Sequence, residues 1–218
     1  MFGRHEVRLA RSLRTLNPHV LAQRRLPKQP DGLGVLPRIV ERRPRQGDSY
    51  PLTAADVRGA LSGTVPLEYF YGLRRIELRP RTGEVGKPFA LYRRDEKHIV
   101  LYSLPLQWSW NGFSAQHPEV KTMRAFGASV IAVPSGVTVS WRHEVLRAVW
   151  FYASVFGHEL GHHFRHQYRS RRRFRGRRPE EVMADVHALR LFRTLLRLTR
   201  DRKRRAAEQA DAADKAQR

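Results

Sequence analysis

His158-Glu159-Leu160-Gly161-His162, followed after an arginine-rich connection by Glu181-Val182-Met183-Ala184-Asp185, is the part of this chain that decides how the rest is read. Two histidines four residues apart on a helix stand one turn above each other, with Cβ atoms roughly 5 to 6 Å apart. Both imidazoles can therefore reach one metal ion. Zinc takes ligand nitrogens at roughly 2.0 to 2.1 Å in a tetrahedron, and an open site keeps its fourth position for water. A third protein ligand is then required. Glu181 is the candidate, because it opens a second amphipathic stretch and has Asp185 one turn along the same helix face. Asp185 is suited to accept the second N–H of a ligand histidine, which fixes the tautomer and raises basicity. Glu159 follows His158 directly, too close to join the same ion comfortably, but well placed to take a proton from water at the metal.

These residues resemble the gluzincins, whose pattern is HExxH followed on a later helix by a glutamate ligand within ExxAD. Both halves match, and the likeness is greatest to the cytosolic ImmA/IrrE-type and the membrane CAAX-protease-like groups, with thermolysin more distant. The resemblance covers about one quarter of the chain. It implies Zn2+ on His158, His162 and Glu181 with Glu159 as general base, and a small mixed β-sheet over the active-site helix whose edge strand receives an extended peptide. It supplies no substrate and no oxyanion partner; His143, Arg165 and Tyr168 are the candidates for that contact.

A chance HExxH in a chain with ten histidines has a probability on the order of a few per cent, and a suitably placed ExxAD lowers it much further. The rival reading is a pair of core histidines on a buried helix. His163 and His166 belong to that class, since neither stands where the motif wants a ligand. His187 is a weaker rival to Glu181. The metzincin pattern fails, because Tyr168 holds the place of its third histidine.

A length of 218 residues suits one catalytic domain with extensions. The absence of cysteine excludes disulfides, zinc ribbons and cysteine catalysis. No apolar run approaches the roughly 20 residues of a membrane span, and the N-terminus lacks a secretory hydrophobic core. A cytoplasmic protein is expected.

Lys+Arg total 42 against 20 Asp+Glu, a net charge of +22. Arginine pairs bidentately with phosphate and carboxylate, so nucleic acid, acidic proteins and anionic lipid surfaces are all possible polyanion partners. GC-rich coding also enriches arginine. The connection Arg165–Arg178 carries eight arginines and no acid, and should run near the metal cleft. It is either a steering rim or a solvated loop.

Residues 1–50 read as a basic, Pro/Arg-rich N-terminal extension with a short helix from about Glu6 to Leu16. The domain spans 51–200 and a charged tail follows at 201–218. Thr53 is expected to cap a helix through Leu61, with a short helical turn around Tyr69. Arg75–Leu78 alternates like a half-exposed strand, Phe89–Arg93 and His98–Tyr102 form a hairpin, and Ser129–Val133 is a further strand. Gln107–Arg124 shows no clean period and reads as an aromatic loop packed on the core or walling the cleft. The active-site helix is expected after Ser140, and Pro179 suits the first turn of the second ligand helix. Gly161 costs helix propensity, about 1 kcal/mol against alanine, but admits another backbone close to the metal helix.

The expectation is an α+β, zincin-like domain that hydrolyses a peptide or protein substrate with zinc. The alternative is a catalytically weak or inactive protein of the same fold that binds nucleic acid or an acidic protein through its arginine surface. Oligomeric state is not legible.

Overall fold

The computed structural model describes residues 36–81, 88–168 and 177–216. The expected helix from Glu6 to Leu16 and the centre of the Arg165–Arg178 connection lie outside them. The described elements are small sheets with helices, compatible with the expected α+β class.

The main sheet is mixed and four-stranded. It contains β1 (Arg38–Glu41), β3 (Arg75–Arg79), β4 (Ala90–Arg93) and β5 (His98–Tyr102) in the order β1-β3-β5-β4. β1 and β5 flank β3 in parallel, and β4 pairs antiparallel with β5 and forms an edge. β5 is buried over its first four residues, as a central strand should be. The hairpin of β4 and β5 agrees with the sequence reading.

Two differences concern this sheet. β1 lies within the stretch assigned to an N-terminal extension, and so does β2 (Asp48–Ser49), which pairs with β6 (Leu104–Pro105). The domain therefore starts before residue 51. β3 is buried through its centre and not half-exposed, because Glu77, the polar residue of its alternation, is itself enclosed. Arg42 Nε donates to Glu77 at 2.6 Å, Arg79 Nη2 at 2.8 Å, and Arg75 Nη2 lies at 3.2 Å. Burial opposes ionisation of Glu77, but the three guanidinium groups outweigh it and hold its carboxyl below the usual carboxylate range.

A second, antiparallel sheet orders β7 (Gln107–Asn111), β9 (Gly136–Ser140) and β8 (Ser129–Val133) as β7-β9-β8. β7 corrects the reading of Gln107–Arg124 as an aperiodic loop. Trp108 and Trp110 alternate inward between exposed Gln107, Ser109 and Asn111, and Phe89 packs edge-on against both. The remainder of that stretch holds α2 (Pro118–Ala125), which follows α1 (Ala54–Gly63). α1 starts as expected at Thr53, whose hydroxyl accepts from the Asp56 N–H while the Asp56 carboxylate accepts from the Thr53 N–H.

From residue 144 to 168 the chain is one continuous helical run: α3 (Glu144–Trp150), a wider π-helical section (Phe151–Phe156) and α4 (Gly157–Tyr168). Ser140 is not its N-cap. It pairs in the ladder with Gln107 and Ser129, and His143 takes the cap position without a side-chain hydrogen bond. Trp150, Phe151, Tyr152, Val155 and Phe156 are all buried, so the run leading into the motif is enclosed on most sides. Arg147 is buried too. It donates to the carbonyls of Leu104 and Pro105, tying α3 to β6.

α5 (Arg177–Ala216) is a single 40-residue helix that packs along α4 and passes position 201 without a break. The contact between α4 and α5 is made by small residues. A Cβ added at Gly157 would meet Ala188 Cα at 3.2 Å, and one added at Gly161 would meet Ala184 Cα at 2.9 Å. The two glycines and two alanines are each four residues apart, so they line one face of each helix. No described helix is long and apolar enough to cross a membrane.

Candidate metal centre

α4 and α5 bring together the three residues that spacing alone selects. His158 Nε2 and His162 Nε2 are 3.0 Å apart, and Glu181 Oε2 lies 3.2 Å from the first and 3.5 Å from the second. A tetrahedron with bonds near 2.0 to 2.1 Å has edges of about 3.3 Å. The three donor atoms therefore already stand at the separations that one small ion requires, and the group could hold a metal.

The donor chemistry agrees. Asp185 Oδ1 lies 2.8 Å from His158 Nδ1. As the carboxylate accepts only, Nδ1 carries the proton and Nε2 of the neutral ring turns its lone pair towards His162 and Glu181. Burial pulls the His158 pKa down, but Asp185, Glu159 and Glu181 outweigh it and hold it above the ordinary value. His162 is held below it, by burial and then by the charge of His158. Glu181 and Asp185 remain open to solvent, with side chains 46% and 59% exposed.

Glu159 is not one of the three donors, but the charges of His158 and Glu181 both act on it. Burial pushes its carboxyl up to about 7, against the opposing pull of His158 and of a hydrogen bond from the Tyr92 backbone N–H. That N–H belongs to the edge strand. Tyr102 N–H donates to the Phe89 carbonyl, so Leu91 and Arg93 complete the hydrogen-bonded pairs with β5, while Ala90 and Tyr92 direct their backbone groups to the free side of β4.

The Tyr92 side chain anchors the same strand to α4. His163 Nε2 is 3.0 Å from the Tyr71 carbonyl and must donate to it, so its Nδ1 accepts from Tyr92 Oη at 3.1 Å. Tyr92 Oη then accepts from His166 Nδ1–H at 3.0 Å. His163 is fully buried, and burial pushes its pKa down to about 4. His163 and His166 thus fasten helix to sheet, as expected of non-ligands. His187 is likewise buried, bonded through Nδ1 to Tyr69 Oη at 3.0 Å.

The expected oxyanion contacts divide. His143 caps α3 four turns before His158 on one helical run, about 20 Å away, beyond side-chain reach of the centre. Arg165 lies in the last turn of α4, on the face that carries His158 and His162. The side chain of Tyr168 lies outside the described residues. Sequence reasoning missed Glu119, in the first turn of α2, whose charge acts on the same neighbourhood as His158 and Asp185. His117, the N-cap of α2, stands beside it and packs edge-on to Phe113. The only local signal was Pro118, which suits the first turn of a helix.

Comparison with protein-family models, with curated proteins and with solved structures gives no match to this chain.

Proposed function

We propose that this protein is a zinc-dependent peptidase of the gluzincin type, with a zincin-like arrangement of sheet edge, active-site helix and ligand helix. The observation that carries the reading is the convergence of His158, His162 and Glu181 at tetrahedral separations beside a half-buried glutamate that the edge strand also contacts. Two histidine nitrogens and one carboxylate suit zinc, which when bound would polarise a substrate carbonyl and acidify a water molecule.

The chain's own groups have definite tasks in this reading. Asp185 keeps His158 in the tautomer that leaves Nε2 free to ligate. An extended peptide adds to β4 through the outward backbone groups of Ala90, which aligns its scissile bond along α4. Glu159 takes one proton from the attacking water and delivers it to the departing amine nitrogen as the carbon–nitrogen bond breaks. A carboxyl with a pKa near neutrality is suited to both transfers.

The test is hydrolysis of a mixed peptide library by zinc-loaded wild type beside Glu159→Gln. Cleavage by the wild type and loss of at least ~100-fold in the variant, with zinc retained, is expected. Equal cleavage by both proteins would overturn the mechanism.

A further inference from the structure

Beyond the metal centre, the distal half of α5 carries an arginine face that peptidase chemistry does not use. We propose that this face docks duplex nucleic acid through its phosphate backbone.

Arg193, Arg197, Arg200 and Arg204 follow one another at intervals of four, three and four residues. At 3.6 residues per turn they fall within an arc of about 60° and extend over about 16 Å of helix. All four are exposed. The opposite side of the helix is the one that packs: Ala188 and Leu191 are buried, and Leu195 lies against the core. The arginines therefore stand on an ordered rod whose orientation is fixed from behind.

Local acids do not neutralise this face. Between Asp185 and Asp201 the sequence has no acidic residue. Among the described residues, no carboxylate lies within ion-pair distance of Arg193, Arg197 or Arg200. Arg204 alone has acidic neighbours, Asp201 at 3.9 Å and Glu208 at 3.7 Å, both long and solvent-exposed pairs. The surrounding field is positive as well, since the whole chain carries +22.

Duplex DNA presents about one negative charge per 1.7 Å of axis, so a 16 Å face meets roughly nine phosphates. Arginine offers a planar fork matched to phosphate oxygens and is less strongly hydrated than lysine. A membrane surface is the poorer partner, because an interfacial helix buries a broad apolar face opposite its charges. Here the apolar face is already packed on the domain, and among the described residues Leu196 is the only large apolar side chain exposed near the arginines. Contacts of this kind track backbone charge and carry no base sequence.

The test is fluorescence anisotropy of a labelled duplex of about 20 base pairs titrated with the full chain at several salt concentrations. Wild type is compared with the triple variant Arg193→Gln, Arg197→Gln, Arg200→Gln and with the matching Arg→Lys variant. Losing three phosphate contacts should reduce the slope of log affinity against log salt by about 2.7, with at least a tenfold drop in affinity at physiological salt. The lysine variant should keep the slope. Circular dichroism establishes that all three proteins carry the same helix content, and a Glu159→Gln background removes any contribution from hydrolysis. An unchanged slope in the glutamine variant would overturn the proposal. So would arginine-dependent binding to phosphatidylserine vesicles or polyglutamate without binding to the duplex.

Discussion

The backbone of Ala184 lies so close to Gly161 that a Cβ at Gly161 would fall 2.8 Å from the Ala184 carbonyl oxygen and 3.0 Å from His187 Cβ. Gly161 stands between His158 and His162 in the sequence, and Ala184 between Glu181 and Asp185. The contact sets the distance between α4 and α5. Gly161→Ala gains about 1 kcal/mol of helix propensity, but the obstruction is backbone and cannot rotate away. Overpacking of this kind costs typically 1 to 3 kcal/mol, so a net loss of about 1 kcal/mol is expected, together with weaker zinc binding as Glu181 moves outward. Urea unfolding and a chelator competition measure the two effects. A more stable variant with native zinc affinity would show that the helices are not held at this distance.

Asp185→Asn keeps the size of the side chain but removes the carboxylate that accepts from His158 Nδ1. Loss of such a partner typically lowers metal affinity 10- to 100-fold. Chelator competition should report a loss in that range, with helix content unchanged. Undiminished affinity would mean that His158 ligates without this support.

His187 couples stability to pH. Burial pushes its pKa down to about 4 from an ordinary value near 6.5, so between those values the unfolded chain binds more protons than the folded one. Its contribution is therefore complete above pH 6.5 and is lost as pH falls to 4, by at most ~1.4 kcal/mol per pH unit. Denaturant unfolding across this window should show a shallower pH dependence in His187→Phe than in wild type. Identical slopes would mean that His187 is not held neutral.

Glu77→Gln removes the negative charge enclosed by Arg42, Arg75 and Arg79. The arginines are partly exposed and can rehydrate, which places the expected loss at about 2 kcal/mol, below that of a wholly buried pair. Because the Glu77 pKa is lowered, the wild-type advantage is present above the ordinary carboxylate range and fades in acid. Unfolding at neutral pH and at pH 3 should show a gap between the two proteins that narrows in acid. A variant as stable as wild type at neutral pH would make the cluster incidental.

What could be read from the sequence was local. The pairing of His158 with His162 and of Glu181 with Asp185 follows from four-residue spacing on helices, the β4–β5 hairpin from two apolar runs around a short polar turn, and the Thr53 cap from its side chain. What could not be read depends on distant partners. β1 is a four-residue strand among prolines and arginines, and its parallel neighbour lies beyond α1. β7 looked aperiodic because tryptophans alternate with polar residues over only five positions. The Tyr92 N–H beside Glu159 is a backbone group, which any residue type would supply. The match of Gly157 and Gly161 to Ala188 and Ala184 needs both helices in view, although Gly161 alone already suggested a close approach.

The central claim is a three-ligand zinc site formed by two helices. Elemental mass spectrometry of purified wild type beside Glu181→Ala tests it directly. The account predicts about one zinc per wild-type chain and its loss in the variant at matched helix content. No zinc in the wild type after loading, or equal zinc in both proteins, would contradict it.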